Sequence, residues 1–146
     1  MPKRKNEEDR ICCGLYKHIQ LKYPYALLYW WHTPNGGRRT KPQADLFKRM
    51  GVLRGVSDYT CSLPSGFYKQ LYLEVKTKTG RLEPEQKEFL AAQNDVGHCA
   101  VVGWGYDECI MIIDAWMNNE PQIFDWMRDR NLKTERKKFK ENGGWC

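Results

Sequence analysis

The segment "LYLEVK", residues 71–76, carries an acid and a base two residues apart, Glu74 and Lys76. Leucine and valine occupy the alternate positions, and this period of two is typical of a β-strand with one apolar face. Glu74 and Lys76 therefore lie together on the other face of the predicted strand. In one interpretation that face is simply polar and half exposed, which is the commonest strand pattern. In the other interpretation the two side chains take part in catalysis or binding. The residues of the neighbouring strand help to choose between the two interpretations.

Asp58 lies in the preceding predicted strand, "GVSDYTC", and the turn "SLPSG" joins the two strands into a hairpin. If Asp58 faces the same way, its carboxylate converges with Glu74 and Lys76. Two adjacent carboxylates repel each other unless a cation lies between them. Oxygen ligands with room for water suit Mg²⁺ or Mn²⁺, and a neighbouring lysine can orient a water or stabilise charge on a phosphate. This set fits metal-assisted hydrolysis of a phosphodiester.

The order of the predicted elements places this hairpin inside an α/β domain. The elements are, in order, a helix over 7–23, a strand over 26–32, a short helix over 42–50, the hairpin strands "GVSDYTC" and "FYKQLYLEVKT", the helix "PEQKEFLAAQN", the strand "HCAVVGW" and the helix "YDECIMIIDAWMNN". This α-β-α-β-β-α-β-α order predicts a mixed β-sheet flanked by helices, with the strand at 98–104 joined in parallel through a helical crossover. We place the domain at residues 1–120, and an extension that is amphipathic and then basic at 121–146.

Composition limits the class of protein. With 146 residues, 41% apolar and 29% charged, the chain is expected to form one globular domain. Its formal charge of +6 fits a polyanionic partner such as nucleic acid. The longest apolar run is too short for the roughly 20 residues of a membrane span, and the charged N-terminus lacks the apolar stretch of a signal peptide. We therefore expect a cytoplasmic protein that makes no membrane contact.

The thiols and imidazoles form no recognisable metal-binding pattern. None of the six cysteines is spaced C-x-x-C, and Cys12–Cys13 is a poor beginning for a zinc site. We therefore expect inert thiols. His18, His32 and His98 are expected in the core or on the surface, with His32 the nearest of the three to the site.

Four motifs in a fixed order, "HTPNGGRRTK", "GVSDYT", "LYLEVK" and "GRLEPEQKEFL", resemble the VRR-NUC family of PD-(D/E)xK nucleases. The D…E-x-K pattern alone arises often by chance, but its combination with the flanking motifs is specific. The resemblance runs from Glu8 to about Asp114, which is most of the chain. It implies a restriction-endonuclease-like core and cleavage of DNA with Mg²⁺ or Mn²⁺, without an organic cofactor.

The resemblance also implies roles for individual residues of the site. Asp58 and Glu74 resemble the metal-binding carboxylates, with the Val75 carbonyl as a backbone ligand between them. Lys76 resembles the catalytic lysine. Gln86 resembles a glutamine that points back at the site from the following helix, although a plain surface position is the alternative for a residue that forms helices so readily.

Residues around this centre are assigned in the same way. Glu8, or Glu7 in its place, resembles the first-helix acid that supports the metal, with a solvated N-terminal acid as the alternative for either. Asn35 and Gly37 match the loop that borders the site. The basic residues that follow this loop are expected to contact DNA phosphates; they are Arg38, Arg39 and Lys41.

Two positions depart from the family pattern. Ser57 stands before the acid, where proline is usual, and Cys12 stands where glutamine usually follows the helical acid by four residues. Proline before the acid contributes backbone shape rather than chemistry, so Ser57 does not disable the site. Cys12 leaves the choice between Glu7 and Glu8 open.

The sequence thus predicts a metal-dependent, structure-specific DNA endonuclease. Small stand-alone proteins of this kind resemble dimeric Holliday-junction resolvases, so we expect a homodimer that cuts four-way junctions in DNA repair, in a bacterial cell or a phage-infected host. One alternative is a monomeric flap endonuclease or exonuclease. Another is a DNA-binding module without catalysis, against which the complete set of Asp58, Glu74 and Lys76 argues. An RNA-binding domain is not supported, because no RNP-like aromatic motif is present.

Overall fold

The computed structural model describes residues 3–34 and 39–129. Within them, helices lie on both faces of one four-stranded mixed sheet, which confirms the predicted α/β class. The elements are, in chain order, α1 (Lys3–Lys22), β1 (Trp30–His32), α2 (Lys41–Arg49), β2 (Tyr59–Cys61), β3 (Leu71–Lys76), α3 (Pro84–Asp95), β4 (Cys99–Trp104), α4 (Tyr106–Met117) and α5 (Phe124–Asp129). Short 3₁₀ turns precede β1 and α5.

The strands follow one another across the sheet in the order β1-β2-β3-β4. β2 pairs antiparallel with both β1 and β3, so β2 and β3 form the predicted hairpin. β3 and β4 pair in parallel over six residues, from Leu71 opposite Cys99 to Lys76 opposite Trp104, and α3 makes the crossover between them. β4 is buried along nearly its whole length, as is usual for a parallel strand covered on both faces.

Three strands and one helix begin four residues away from the position that the sequence predicts, and one of them is β3, which begins at Leu71 rather than at Phe67. β1 begins at Trp30 rather than at residue 26, because Pro24–Ala26 form a 3₁₀ turn that the Tyr29 N–H extends by donating to the Ala26 carbonyl at 2.9 Å. β2 keeps only three residues of its segment, and Asp58 precedes it. α1 begins at Lys3, earlier than its apolar periodicity indicates, since its first turns are polar.

The main hydrophobic core lies on one face of the sheet. Leu71, Leu73 and Val75 of β3 point into it and meet α1 and α4, which contribute side chains including Leu15 and Ile112. Each such side chain, once fully buried, stabilises the fold by about 1.5–3 kcal/mol. On the other face a smaller cluster joins α3 to the sheet; its buried members are Phe89, Leu90, Ala100 and Val102.

Phe124 and Met127 of α5 are buried in the main core, so the described part of the segment after residue 120 packs onto the domain. The domain boundary at 120 stays a prediction, and the basic end of the chain lies outside the described residues. Among the helices that the structure describes, none is long and apolar enough to cross a membrane.

Candidate active site

The hairpin brings Asp58, Glu74 and Lys76 to one place. β2 and β3 are in a register that pairs Tyr59 with Leu73, so Asp58, one residue earlier, lies across from Glu74. The Asp58 side chain is fixed there because its Oδ2 accepts a hydrogen bond from the Val75 N–H at 2.7 Å. Lys76 follows on the same face as Glu74, with its Nζ 3.9 Å from Glu74 Oε1.

Burial decides between the two interpretations of the Glu74/Lys76 pair. Glu74 is 3% exposed and Lys76 is 7% exposed, so this is not the half-exposed polar face of a strand. The pair lies on the face of the sheet that α3 covers. Two charged groups are costly to desolvate, and proteins seldom bury them without a partner or a task.

Gln86, in the first turn of α3, fixes the orientation of the Glu74 side chain. Its Nε2 donates to Glu74 Oε1 at 2.7 Å, while its own Oε1 accepts from the Glu83 N–H at 2.8 Å as part of the capping box that begins α3. Because the amide oxygen is engaged by a backbone donor, the amide nitrogen must face the carboxylate. Gln86 is therefore half-buried and hydrogen-bonded to Glu74 rather than a plain surface residue of the helix.

A glycine lets the chain before β2 reach the first turn of α3. Gly55 has φ +87°, and a Cβ at this position would lie 2.5 Å from the Glu85 carbonyl oxygen. A side chain would therefore be strained and would push the two segments apart. Gly55 thus keeps the segment that carries Asp58 close to the turn that carries Gln86.

The two carboxyl groups are electrostatically unfavourable as a pair. Burial, and next the neighbouring Asp58, raise the pKa of Glu74 to about 9, against a lowering effect of the Lys76 ammonium. Burial also raises the pKa of Asp58, although the Val75 N–H and the positive charges of His32 and Lys76 oppose this. The pair therefore does not carry two negative charges by itself at neutral pH.

The oxygen atoms that remain fit a divalent cation. Glu74 Oε2 is buried and has no hydrogen-bond partner among the described residues. A buried carboxylate oxygen without a partner, beside a second carboxylate, is the donor set that Mg²⁺ or Mn²⁺ prefers. A bound cation would lower both pKa values and would restore the two charges.

The remaining predicted residues lie on α1, around the beginning of α2 or outside the described part of the chain. Glu8 is half-buried on α1, and its negative charge contributes to raising the pKa of Glu74, whereas Glu7 is exposed. Arg39 and Lys41 are exposed at the beginning of α2. Three predicted residues lie outside the described part of the chain: Asn35, Gly37 and Arg38.

The described chain leads into this segment from beside the site. The Thr33 N–H, directly after β1, donates to the Asp58 carbonyl at 2.9 Å. The six steps along the chain from Thr33 to Arg39 span at most about 22 Å when extended. The Cα atom of Arg39 therefore lies within that distance of the Cα atom of Thr33, which is itself beside Asp58. Its guanidinium lies 4.6 Å from the centre of the Phe47 ring.

Sequence reasoning missed a cluster on the α1 side of Asp58. One ligand atom each from Cys12, His32 and Asp58 lie within 4.8 Å of one another. They adjoin a cavity of about 610 Å³ whose lining includes Cys12, His32, Trp30 and Tyr59. The helical spacing of Cys12, four residues after Glu8, places it on the same face of α1 as that acid, but it does not indicate His32 or Asp58 as neighbours.

The other expectations for thiols and imidazoles are met in part. Burial, and next the Asp58 charge, raise the pKa of Cys12 to about 12, so the free thiol is unreactive as expected. His18 hydrogen-bonds to Asp114 at 2.8 Å. His98 packs edge-on against Tyr72.

Comparison with known proteins agrees with the fold and with the motifs. A solved structure described as a "VRR_NUC domain protein" superimposes with a TM-score of 0.67 and is 28% identical in sequence, over 77% of this chain and 88% of that one. The sequence matches no family model and no curated protein. The expected resemblance is thereby confirmed at the level of three-dimensional structure. The chain is thus similar in fold and in sequence to a VRR-NUC domain protein, and its mixed sheet flanked by helices is consistent with the PD-(D/E)xK nuclease superfamily.

Proposed function

We propose that this VRR-NUC domain is a metal-dependent DNA endonuclease whose centre is Asp58, Glu74 and Lys76. The observation that supports this most strongly is the buried Glu74 carboxyl group, which faces the half-buried carboxyl group of Asp58 and lies 3.9 Å from the Lys76 ammonium. Such an arrangement is unfavourable in a purely structural role, since the two carboxyl groups disfavour each other's ionised form and the Lys76 ammonium offsets this only in part. It is favourable when a divalent cation and a phosphate complete it.

The residues divide the work as follows. Asp58, Glu74 and the Val75 carbonyl hold Mg²⁺ or Mn²⁺, with Glu8 in support from α1. The ion, when bound, polarises the phosphate and lowers the pKa of a water molecule. Lys76 orients the attacking water and stabilises the negative charge that develops on the phosphate oxygens. Gln86 keeps Glu74 in the orientation that the metal requires.

Positive charge at the loop after β1 serves to hold the DNA. The resemblance assigns Asn35 and Gly37 to the border of the site, and we assign Arg38, Arg39 and Lys41 to phosphates of the DNA backbone. Such contacts position the duplex without reading bases. They therefore suit an enzyme that recognises DNA shape.

Four-way junctions are the proposed substrate, with a homodimer as the active form. A junction requires two symmetric cuts, and a two-fold dimer provides two sites in the necessary relation. The surface offers apolar area for such a contact, since Leu28 and Phe67 are almost fully exposed. A monomer that cuts flaps or ends, and a DNA-binding module without catalysis, are the competing functions.

The test is cleavage of a labelled four-way junction, a 5′ flap and a plain duplex, with Mg²⁺, with Mn²⁺ and with EDTA. The variant Lys76→Met removes the charge but keeps the length of the buried side chain. We expect it to lose about a hundredfold to a thousandfold in cleavage rate. Lys69→Met is the matched control, because Lys69 is an exposed lysine near the other end of β3.

Each outcome selects one function. Paired symmetric nicks in the junction, lost with EDTA and with Lys76→Met but kept with Lys69→Met, support a dimeric resolvase. Cleavage of the flap alone keeps the nuclease and removes the resolvase. Binding without cleavage of any substrate favours the binding module. Equal rates for the Lys76→Met and wild-type proteins contradict the assignment of Lys76.

A further inference from the structure

We propose that Cys12, His32 and Asp58 form a second metal site, selective for a thiophilic divalent ion such as Zn²⁺, next to the nuclease centre. The three residues come from α1, from β1 and from the residue before β2, and their ligand atoms lie within 4.8 Å of one another. They share one residue with the proposed nuclease site, Asp58. The regulatory consequence argued below therefore rests on the proposed function, whereas the metal site itself does not.

Backbone contacts hold the three residues in position independently of any metal. The Tyr59 hydroxyl donates to the Cys12 carbonyl at 2.9 Å, which fixes α1 against β2. His32 is paired with Tyr59 across β1 and β2, and their rings lie 5.1 Å apart. The Thr33 N–H donates to the Asp58 carbonyl, which fixes the end of β1 beside Asp58. The ligands are thus brought together by the fold itself.

The chemistry of the set selects the ion. A thiolate, an imidazole and a carboxylate are the three kinds of ligand that Zn²⁺ takes, at about 2.0–2.3 Å, whereas Mg²⁺ requires oxygen ligands. The imidazole of His32 is exposed, so it can rotate by the small amount needed to close on an ion. The adjoining cavity gives access for the ion and for a water molecule in the fourth position. On binding, the Cys12 thiol releases its proton to solvent and binds as thiolate.

Sharing Asp58 couples the two sites. A Zn²⁺ ion on Cys12 and His32 engages the Asp58 carboxylate and adds positive charge beside Glu74. It therefore competes with Mg²⁺ for a ligand and opposes its binding, and the opposition is reciprocal. We expect low concentrations of Zn²⁺ to inhibit the Mg²⁺-supported nuclease. We expect this inhibition to depend on Cys12, which stands where glutamine is usual.

Co²⁺ is the probe for the site, because a thiolate bound to Co²⁺ gives a charge-transfer absorption in the near ultraviolet. The full chain, kept reduced and free of Mg²⁺, is titrated with Co²⁺ and then with Zn²⁺. We expect a band that saturates at one equivalent and is displaced by Zn²⁺. Cys12→Ser should lose the band, and His32→Gln should weaken Co²⁺ binding.

Cys13→Ser is the matched control, since Cys13 is the adjacent cysteine and is exposed. The proposal is overturned if the wild-type protein gives no thiolate band, or if Cys12→Ser keeps the band while Cys13→Ser loses it. Circular dichroism shows whether each variant is folded, and the serine substitution is close to isosteric.

Cleavage assays then separate this proposal from the nuclease. Zn²⁺ should inhibit Mg²⁺-supported cleavage by the wild-type and Cys13→Ser proteins, and much less by Cys12→Ser. A band without any cleavage retains the metal site and contradicts the proposed function. Cleavage that Zn²⁺ inhibits equally in all three proteins, with no band, contradicts the metal site alone.

Discussion

Helices α2 and α3 begin with the same local device but have different surroundings. Each has proline in its first turn and a capping box closed by glutamine, Thr40 with Gln43 in α2 and Glu83 with Gln86 in α3. α2 contributes no buried residue, and its glutamine serves only the cap. α3 packs on the sheet, and its glutamine uses the remaining amide group to hold Glu74.

The charges of the two regions differ in the same way. In the candidate site Glu74 and Lys76 are buried and Asp58 is half-buried, and each contacts the backbone or another side chain. The basic residues around α2 are exposed, and the charge they carry acts through water. Chemistry at a phosphate depends on positions fixed by the sheet, whereas binding of a polyanion depends on charge that stays hydrated until DNA arrives.

The largest expected effect is on the stability of the metal-free protein when the buried acid Glu74 is replaced by a neutral residue. The pKa of Glu74 in the folded protein, about 9, lies above its ordinary value of 4.5. The folded state therefore retains a proton that the unfolded chain has released, so the stability of the wild-type protein falls as pH rises through this window. The slope reaches about 1.4 kcal/mol per pH unit for one proton.

Glu74→Gln should lack this fall, so it should be increasingly more stable than the wild-type protein from about pH 5 to about pH 9, in EDTA. Urea unfolding at several pH values measures the difference. Parallel stability curves for the two proteins would contradict a raised pKa. The same variant should not cleave DNA, because it removes a proposed metal ligand.

The hairpin is the part of the site that could be predicted from the sequence. The alternation in "LYLEVK" sets which residues of β3 share a face, so the pairing of Glu74 with Lys76 follows from local pattern alone. The register that puts Asp58 opposite Glu74 does not follow, because residues 62–70, and not the turn "SLPSG" alone, connect β2 to β3. Burial of the pair does not follow, because α3 and the chain around Gly55 cover it through packing. An alternating pattern shows which residues share a face of the strand, but it does not show whether another element covers that face.

The cluster of Cys12 with Asp58 could not be predicted for a related reason. The two residues are far apart in sequence, and they meet because α1 packs beside the first residue of β2, Tyr59, whose hydroxyl donates to the Cys12 carbonyl. Cysteine spacing reports ligands that are neighbours along the chain. It carries no information on a site that is assembled from one cysteine and from two other residues on different elements.

An intermediate effect should distinguish the two glutamines of the capping boxes. Gln86→Ala removes both the cap and the hydrogen bond to Glu74, so cleavage should fall by about 10-fold to 100-fold, the usual effect of losing a residue that orients a metal ligand. Gln43→Ala removes only a cap, at a cost of about 1 kcal/mol or less. Single-turnover cleavage and thermal unfolding of both variants measure the two quantities. If the variants lose cleavage equally, the contact with Glu74 has no functional role.

The smallest effect is expected from the exposed charges at the beginning of α2. Arg39→Ala and Lys41→Ala should each weaken DNA binding several-fold, and each should lower the slope of log affinity against log salt by roughly 0.9 for a lost phosphate contact. Binding is measured in the Lys76→Met background, so that cleavage does not interfere. Lys17→Ala, an exposed lysine on α1, is the matched control. The single-turnover rate of cleavage of bound DNA is measured separately, in proteins that retain Lys76. It should not change, because the Arg39 and Lys41 side chains remain hydrated in the free protein. A fall in that rate with an unchanged salt slope would place Arg39 or Lys41 in the chemistry of the site rather than in the binding of the backbone.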